Sequence, residues 1–272
     1  MAFGSGDLLA LQRLLRAKAG IVLTEEDRPR IEARLAPVAK ANGLASVEGL
    51  LSRMRTSSWS ALHQEVIEAL LVHTAPFIID HHLGRALIQR ILPQLISARA
   101  QERRLRFWCP LCSTGQGPAS LAVLLLEHFP ELTGWDLTIL ASHRLSEQLD
   151  YALAGSYSPV EVVQGMPTQV LLRRFRHQDG RWKLKEESAK LIRYRDIELR
   201  GSWPELEPMD LIVIREVLAY LPRHERTTLV DRMRGVLAHD GYLLLDGADA
   251  AALGKEPLAT MHDEQSGFYR AL

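Results

Sequence analysis

The sequence predicts an all-α domain followed by an α/β domain on a parallel sheet, with a small antiparallel β insertion. Three observations carry this. The first hundred residues repeat apolar positions at three- and four-residue spacing and show no alternating strand signal. From residue 104 onward short apolar runs alternate with helical patterns, as in parallel strands joined by crossover helices. Between Gly155 and Asp196 that alternation stops, and a compact, locally basic segment takes its place.

In chain order, Leu8, Leu9, Leu11, Leu14 and Leu15 recur at helical spacing. Residues 25–40 put Ile31, Leu35 and Val38 on one face, with Thr24 as N-cap and Asn42 and Gly43 as the stop. Residues 46–54 and 59–72 read as further helices until Pro76 breaks the pattern. Residues 82–98 resume it as one long helix through Leu83, Leu87, Ile91 and Leu95. These readings place the helical domain at 1–75, a connecting helix at 76–103 and the α/β domain at 104–272. Within the last, 105–109, 137–141, 210–214 and 242–245 read as strands, and helices follow the first turn, at 146–154 and at 223–237. The insertion is expected over about 156–197, with 182–185 and 191–194 as strands.

The 272 residues are 47% hydrophobic, enough for a full core. The 33 basic residues balance the 33 acidic ones, which argues against a dedicated nucleic-acid binder, because phosphate neutralisation needs a basic surplus. Charges interrupt every long apolar run, and the N-terminus lacks the basic and apolar regions of a signal peptide, so a cytoplasmic protein without a membrane span is expected. The neutrality is an average: residues 173–196 hold nine Lys or Arg against four Asp or Glu.

Ligands of open α/β sheets bind beyond the carboxyl ends of the strands. Three segments fall there: Cys109 to Gly117, Ser142 to Arg144, and Arg215 with Glu216. The first, C-P-L-C-S-T-G-Q-G, opens a helix whose free N–H groups suit a polar or anionic ligand; its glycines serve a tight turn equally well. Trp108-Cys109-Pro110-Leu111-Cys112 also resembles the W-C-x-x-C of thiol-redox proteins. Zinc on this cysteine pair would need two further ligands; only His143 is placed to help, so no metal is expected.

Together these segments resemble the CheR-type chemotaxis methyltransferases. Arg106 to Ala122 is similar to that family's R-x-W-S-A-G-C-S-T-G-E-E-P-Y-S-L-A. Ile139 to His143 is similar to its I-L-A-T-D, Ala152 to Tyr157 to A-x-x-G-x-Y, and Glu161 to Pro167 to E-x-x-R-G-L-P. Asp210 to Leu221 resembles D-x-I-x-x-R-N-V-L-I-Y-F, and Gly241 to Leu245 resembles G-Y-L-x-L. The resemblance implies a Rossmann-like class I methyltransferase domain binding S-adenosylmethionine, behind a helical N-terminal domain. It also implies methylation of chemoreceptor glutamates, with the insertion as docking element. Carried over by position, the cofactor contacts are Cys112, Ser113, Thr114, Gly115, Gln116, His143, Leu199, Arg215 and Glu216, and the catalytic candidates are Arg215 and Tyr220.

This chain departs from the pattern where the family holds its cofactor. Gly117 stands for the second Glu of G-E-E, Ala119 for the Tyr, His143 for the ribose-binding Asp, and Glu216 and Glu198 for two Asn. Leu111 replaces a small turn residue, and Ile79 aligns with an Arg. A neutral imidazole accepts one hydrogen bond where a carboxylate accepts two strong ones. The expectation is a CheR-like signalling protein with weakened or lost cofactor binding that acts through a partner, such as an acidic receptor helix on the basic insertion. An active S-adenosylmethionine-dependent glutamate methyltransferase and a thiol-redox protein using Cys109 and Cys112 are the alternatives.

Overall fold

Helices α1 (Ser5–Ala19), α2 (Arg28–Ala41), α3 (Val47–Thr56) and α4 (Ala61–Leu71) close their apolar stripes on one core. Leu8, Leu11 and Leu15 meet Ile31 and Leu35 from α2, Leu50 and Met54 from α3, and Val66, Ile67 and Leu70 from α4. The far boundary of α2 follows the expected signals, whereas Thr24 starts a 3-10 turn (Glu25–Asp27) and Asp27 is the N-cap of α2. The Asp27 carboxylate accepts from the Thr24 N–H at 2.7 Å ahead of α2. Asn42 caps its far end, and Gly43 takes φ +71°, a conformation that favours glycine. The computed structural model describes residues 3–19, 23–57, 60–71, 77, 82–112, 114–143, 146–163, 166–215, 217–218, 221–253, 261–263 and 267–271. Among them no helix is long and apolar enough to cross a membrane.

The chain divides into two compact units, residues 1–73 with 220–222 and residues 74–219 with 223–272. In the second, the expected long helix is α5 (His82–Ala86), a π turn (Leu87–Ile91) and α6 (Leu92–Ala98). Pro93 brings no N–H to the helical ladder, and the widened turn, with the Leu92 N–H reaching back to the Leu87 carbonyl, lies immediately before it.

The strands are β1 (Arg104–Cys109), β2 (Asp136–His143), β3 (Ser156–Tyr157), β4 (Phe175–Gln178), β5 (Arg181–Leu184), β6 (Ile192–Asp196), β7 (Met209–Ile214), β8 (Leu237–Leu245), β9 (Met261–Asp263) and β10 (Phe268–Ala271). The helices are α7 (Gln116–His128), α8 (Ser146–Ala154), α9 (Pro159–Val163), α10 (Thr168–Arg174), α11 (Glu186–Ala189), α12 (Arg223–Arg234) and α13 (Gly247–Leu253). Seven strands form one sheet in the order β6-β2-β1-β7-β8-β10-β9, parallel except for β10. The chain winds outward from β1 through β2 to β6, then returns to β7 on β1's other side, so the switch point lies between β1 and β7. Strands β3, β5 and β4 form a separate antiparallel sheet.

Two expectations need correction. Residues 191–194, placed in the insertion, belong to the main sheet: Ile192–Asp196 pairs in parallel with β2, from Ile139↔Ile192 to His143↔Asp196. A two-sided edge strand with alternating charge, I-R-Y-R-D, has the same pattern as a hairpin strand, and only its partner tells them apart. Second, the helix expected to reach residue 237 ends at Arg234, and β8 begins at Leu237. A register shift between Met209↔Leu237 and Leu211↔Tyr242 bulges β8 around Gly241.

Gly241 is required by that bulge, since an added Cβ would lie 2.7 Å from the Met209 carbonyl oxygen, a backbone atom with little room to retreat. Gly241→Ala should therefore destabilise the α/β unit by about 1–3 kcal/mol, read as a lower urea midpoint. The same change at Gly117, where a Cβ meets nothing within 4 Å, should be neutral or mildly stabilising because it lies within α7.

Candidate functional site

The turn after β1 is built from hydrogen bonds rather than bulk. Cys112 N–H donates to the Ser142 carbonyl at 2.9 Å, tying the turn to the end of β2. Gly115 N–H donates to the Cys112 carbonyl at 2.9 Å, and Gly115 itself, at φ +93°, caps α7. A Cβ on Gly115 would press on the Tyr157 hydroxyl at 3.1 Å and the Ala152 Cβ at 3.2 Å, so here glycine serves close packing against α8 and β3. Leu111 adopts φ +48°, which L residues rarely take, so the departure there adds both bulk and backbone strain.

Trp108 joins the end of β2 to the loop that follows β6. Its indole N–H donates to Ser142 Oγ at 3.0 Å, fully buried between β1 and β2. Trp203 packs edge-on against it with ring centres 4.9 Å apart. Arg232 of α12 lies 4.0 Å over the Trp203 ring and donates to the Leu199 and Gly201 carbonyls, each at 2.7 Å. The Leu199 carbonyl also accepts from Trp203 Nε1 at 3.2 Å. Leu199 is thus fixed by its backbone and buried. Beyond β7, Arg215 is half-buried, and its charge acts on the Cys109 thiol, which places the end of β7 beside that of β1. The loop that follows is anchored by Asp249 of α13, whose fully buried carboxylate accepts from the Val217 N–H at 3.1 Å through both oxygens.

Of the sequence-derived site residues, Cys112, Thr114, Gly115 and Gln116 share one turn, Arg215 follows the neighbouring strand β7, and Leu199 follows β6. His143 ends β2; its side chain, together with Ser113, Glu216, Tyr220 and Ile79, lies outside the described residues. Gln116 is 2% exposed and engaged on both ends. Its Oε1 accepts from the Thr114 hydroxyl at 2.6 Å, and its Nε2 donates to Glu161 at 2.8 Å. Glu161 was not singled out as a site residue, yet it is a hub, accepting also from the Ser158 N–H at 2.7 Å and the Tyr151 hydroxyl at 3.2 Å. The S-x-x-E capping box at Ser158 and Glu161 was the readable signal for the first of these bonds. Nothing local marked the other partners.

The thiols have the wrong environment for redox chemistry. Burial pushes both Cys109 and Cys112 up, Cys112 to about 12, and the Arg215 charge offsets this only in part at Cys109. Tyr157 and Tyr194 are raised by burial too, so this region under the turn disfavours negative charge. A reactive cysteine needs the opposite. Among the described residues no three His, Cys, Asp or Glu side chains gather as a metal site.

A doubly wound sheet with one antiparallel strand next to its far edge, and a glycine turn after its first strand, defines a Rossmann-like class I methyltransferase domain. The chain belongs to the CheR methyltransferase family: residues 73–265 match its SAM binding domain and residues 6–71 its all-alpha domain. It is 28% identical over 254 residues to chemotaxis protein methyltransferase 1 of Pseudomonas aeruginosa, covering 92% of each chain. Against the chemotaxis protein methyltransferase of Vibrio anguillarum it is 27% identical over 241 residues, covering 88% of this chain and 86% of that one. Against chemotaxis protein methyltransferase Cher2 of Pseudomonas putida it is 24% identical over 254 residues, with 92% of each covered.

The thiol environment gives a direct test. In the native protein at pH 8, Cys109 and Cys112 should react with a thiol reagent only as fast as the protein unfolds, and both at once in denaturant. Rapid native labelling of either would contradict the burial.

Proposed function

We propose that this protein is a chemosensory CheR-family protein that docks an acidic segment of a chemoreceptor or signalling partner on its small sheet and binds S-adenosylmethionine weakly. The observation that carries the docking reading is a like-charge pair. Register sets Arg176 of β4 directly opposite Lys183 of β5, both exposed, and places Arg181 on the same face. Like charges directly opposite on one face destabilise a sheet, and an anionic partner relieves that cost. The other face is already occupied: Tyr157, Phe175, Trp182 and Leu184 turn inward, with Phe77 edge-on to Tyr157 at 5.2 Å and to Phe175 at 5.8 Å.

The backbone of the cleft suits the cofactor, whereas its side-chain contacts are thinned. The turn Cys112, Ser113, Thr114, Gly115 and Gln116, with His143, Leu199, Arg215 and Glu216 around it, would hold S-adenosylmethionine. Gln116 is committed to Thr114 and Glu161, and Gly117 offers open space where the family has a carboxylate. Leu111 crowds the turn from a strained conformation. Each lost charge-assisted contact weakens binding by about 1.5–3 kcal/mol.

When bound, the cofactor supplies a methyl already activated on sulfur, so transfer to a carboxylate rests on alignment and needs no metal. Arg215 is the residue on the described part of the cleft that could steer an acidic acceptor. Its retention, beside the intact turn, favours the second reading, an active protein-glutamate O-methyltransferase. Tyr220 is then the other catalytic candidate.

Calorimetric titration with S-adenosylhomocysteine separates the two readings. Weak binding, saturating only near about 1 mM ligand, is expected; micromolar binding would favour the active enzyme. Gly117→Glu and His143→Asp should each tighten affinity about 10-fold or more, and unchanged affinity in both would place the cofactor elsewhere. For docking, retention of a glutamate-rich helical peptide should fall steeply with salt and be lost in Arg176→Glu/Lys183→Glu. Salt-insensitive retention would remove the docking reading.

A further inference from the structure

One connected set of hydrogen bonds runs from the turn after β1 to the small sheet. Thr114 donates to Gln116 at 2.6 Å, and Gln116 donates to Glu161 Oε1 at 2.8 Å. Glu161 Oε2 accepts from the Tyr151 hydroxyl at 3.2 Å, and Tyr151 in turn accepts from the Arg181 guanidinium. Arg181 also lies 5.4 Å over the Tyr151 ring and 4.0 Å from the Glu161 carboxylate. It donates to the Ser156 carbonyl at 2.6 Å and Ser156 Oγ at 3.1 Å, so it is tied to both β3 and β5. The two ends differ in exposure. Gln116 and Thr114 are buried, whereas the Arg181 side chain is 39% exposed on the basic face.

We propose that Glu161 is a positioning residue in a relay that couples occupancy of the small sheet's basic face to the geometry of the turn after β1, with Arg181 as the sensing end. The coupling rests on the docking and cofactor readings above. An acidic partner competes with Tyr151 and Glu161 for the Arg181 guanidinium, whose five donors sit in one rigid fork. When Arg181 turns toward the partner, the Tyr151 hydroxyl loses its donor, and Glu161 loses the positive charge 4.0 Å from it. Glu161 then holds Gln116 under altered electrostatic load, and Gln116 sets both the Thr114 hydroxyl and the start of α7. Linkage makes the effect reciprocal: whatever the partner does to the turn, a ligand on the turn does to the partner's affinity. The path has no covalent step and moves one proton donor between two acceptors.

Amide hydrogen exchange at Cys112 and Gly115 reads the turn whether or not a cofactor binds, because both N–H groups are hydrogen-bonded within it. Arg181→Gln should speed exchange at both by about 3- to 10-fold, and Tyr151→Phe, which removes only one hydroxyl, should do the same. The double variant should exceed neither single by more than its error, as expected of links in one chain. Exchange at Leu211 and Val213 in β7 should stay unchanged, which a general loss of stability would not allow. Arg234→Gln, on the far helix α12, should move none of these amides.

The relay is overturned if Arg181→Gln and Tyr151→Phe leave both turn amides at wild-type rates, if their effects add, or if β7 exchange rises in step. Affinity for S-adenosylhomocysteine is measured on the same proteins. Turn amides that respond while affinity stays constant uphold the relay and remove the cofactor reading, whereas unresponsive amides remove the relay whatever the affinity does.

Discussion

The register of β1 against β7 decides which residues meet at the carboxyl ends of the central strands, and a buried carboxylate at the opposite end of the sheet holds it. Asp210, at the start of β7, accepts from the Arg106 backbone N–H of β1 at 2.7 Å and from Arg99 Nε at 2.8 Å. Arg99, just past α6, reaches on to Asp240 of β8, whose carboxyl this hydrogen bond holds below the usual range. A single guanidinium thereby joins the end of the connecting helix to β7 and β8, and Asp210 adds β1. Burial pushes the Asp210 carboxyl up while the Arg106 N–H and the Arg99 charge pull it back. Removing Arg99 would leave two carboxylates facing each other in a half-buried site, which is why breaking such a group costs more than the group itself contributes. With the register pinned, Phe107 faces Leu211, Trp108 faces Ile212, and Arg215 emerges beside the turn that follows Cys109.

Much of this architecture was legible because local signals and tertiary packing agree. The four N-terminal helices, β1, β2, β7 and α8 follow apolar periodicity, and Asn42 and Gly43 end α2 for ordinary stereochemical reasons, while Thr24 opens the 3-10 turn ahead of it. What was not legible depends on partners distant in sequence. Strand β6 has the pattern of a hairpin strand, and only β2 makes it part of the main sheet. The bulge in β8 is written in Gly241, yet a glycine after an aspartate reads as an ordinary turn until the Met209 carbonyl is found beneath it. The Asp210–Arg99 contact spans 111 positions, beyond any spacing rule.

The site divides along the same line. Cys112, Thr114, Gly115 and Gln116 were readable as a unit because they are consecutive, and Arg215 because it ends an apolar strand. Their roles were less readable. Gly115 looks like a residue that lets a ligand approach, whereas in the fold it lets Tyr157 and Ala152 approach. Gln116 reads from the sequence as a ligand contact, and the fold adds a buried bridge to Glu161 that the sequence does not show. The W-C-x-x-C pattern looks like redox chemistry until burial raises both thiols. In each case the residue type permits several uses, and the neighbour selects among them.

These neighbours also explain why scaffold and cleft differ in their tolerance of change. Trp108 is enclosed by Ser142 and Trp203, and Gly115 by Tyr157 and Ala152, so altering either shifts several buried groups at once. A Cβ at Gly117 meets nothing within 4 Å, so the backbone there accepts a side chain without rearranging. The start of α7 can therefore change at this position while the fold stays intact. Balanced overall charge is compatible with strong local imbalance for the same reason. The basic face of the small sheet sets Arg176 against Lys183, a cost the rest of that sheet can bear because Tyr157, Phe175, Trp182 and Leu184 are packed on its other side. Packing on one face of the small sheet holds it together, so the other face can carry like charges side by side.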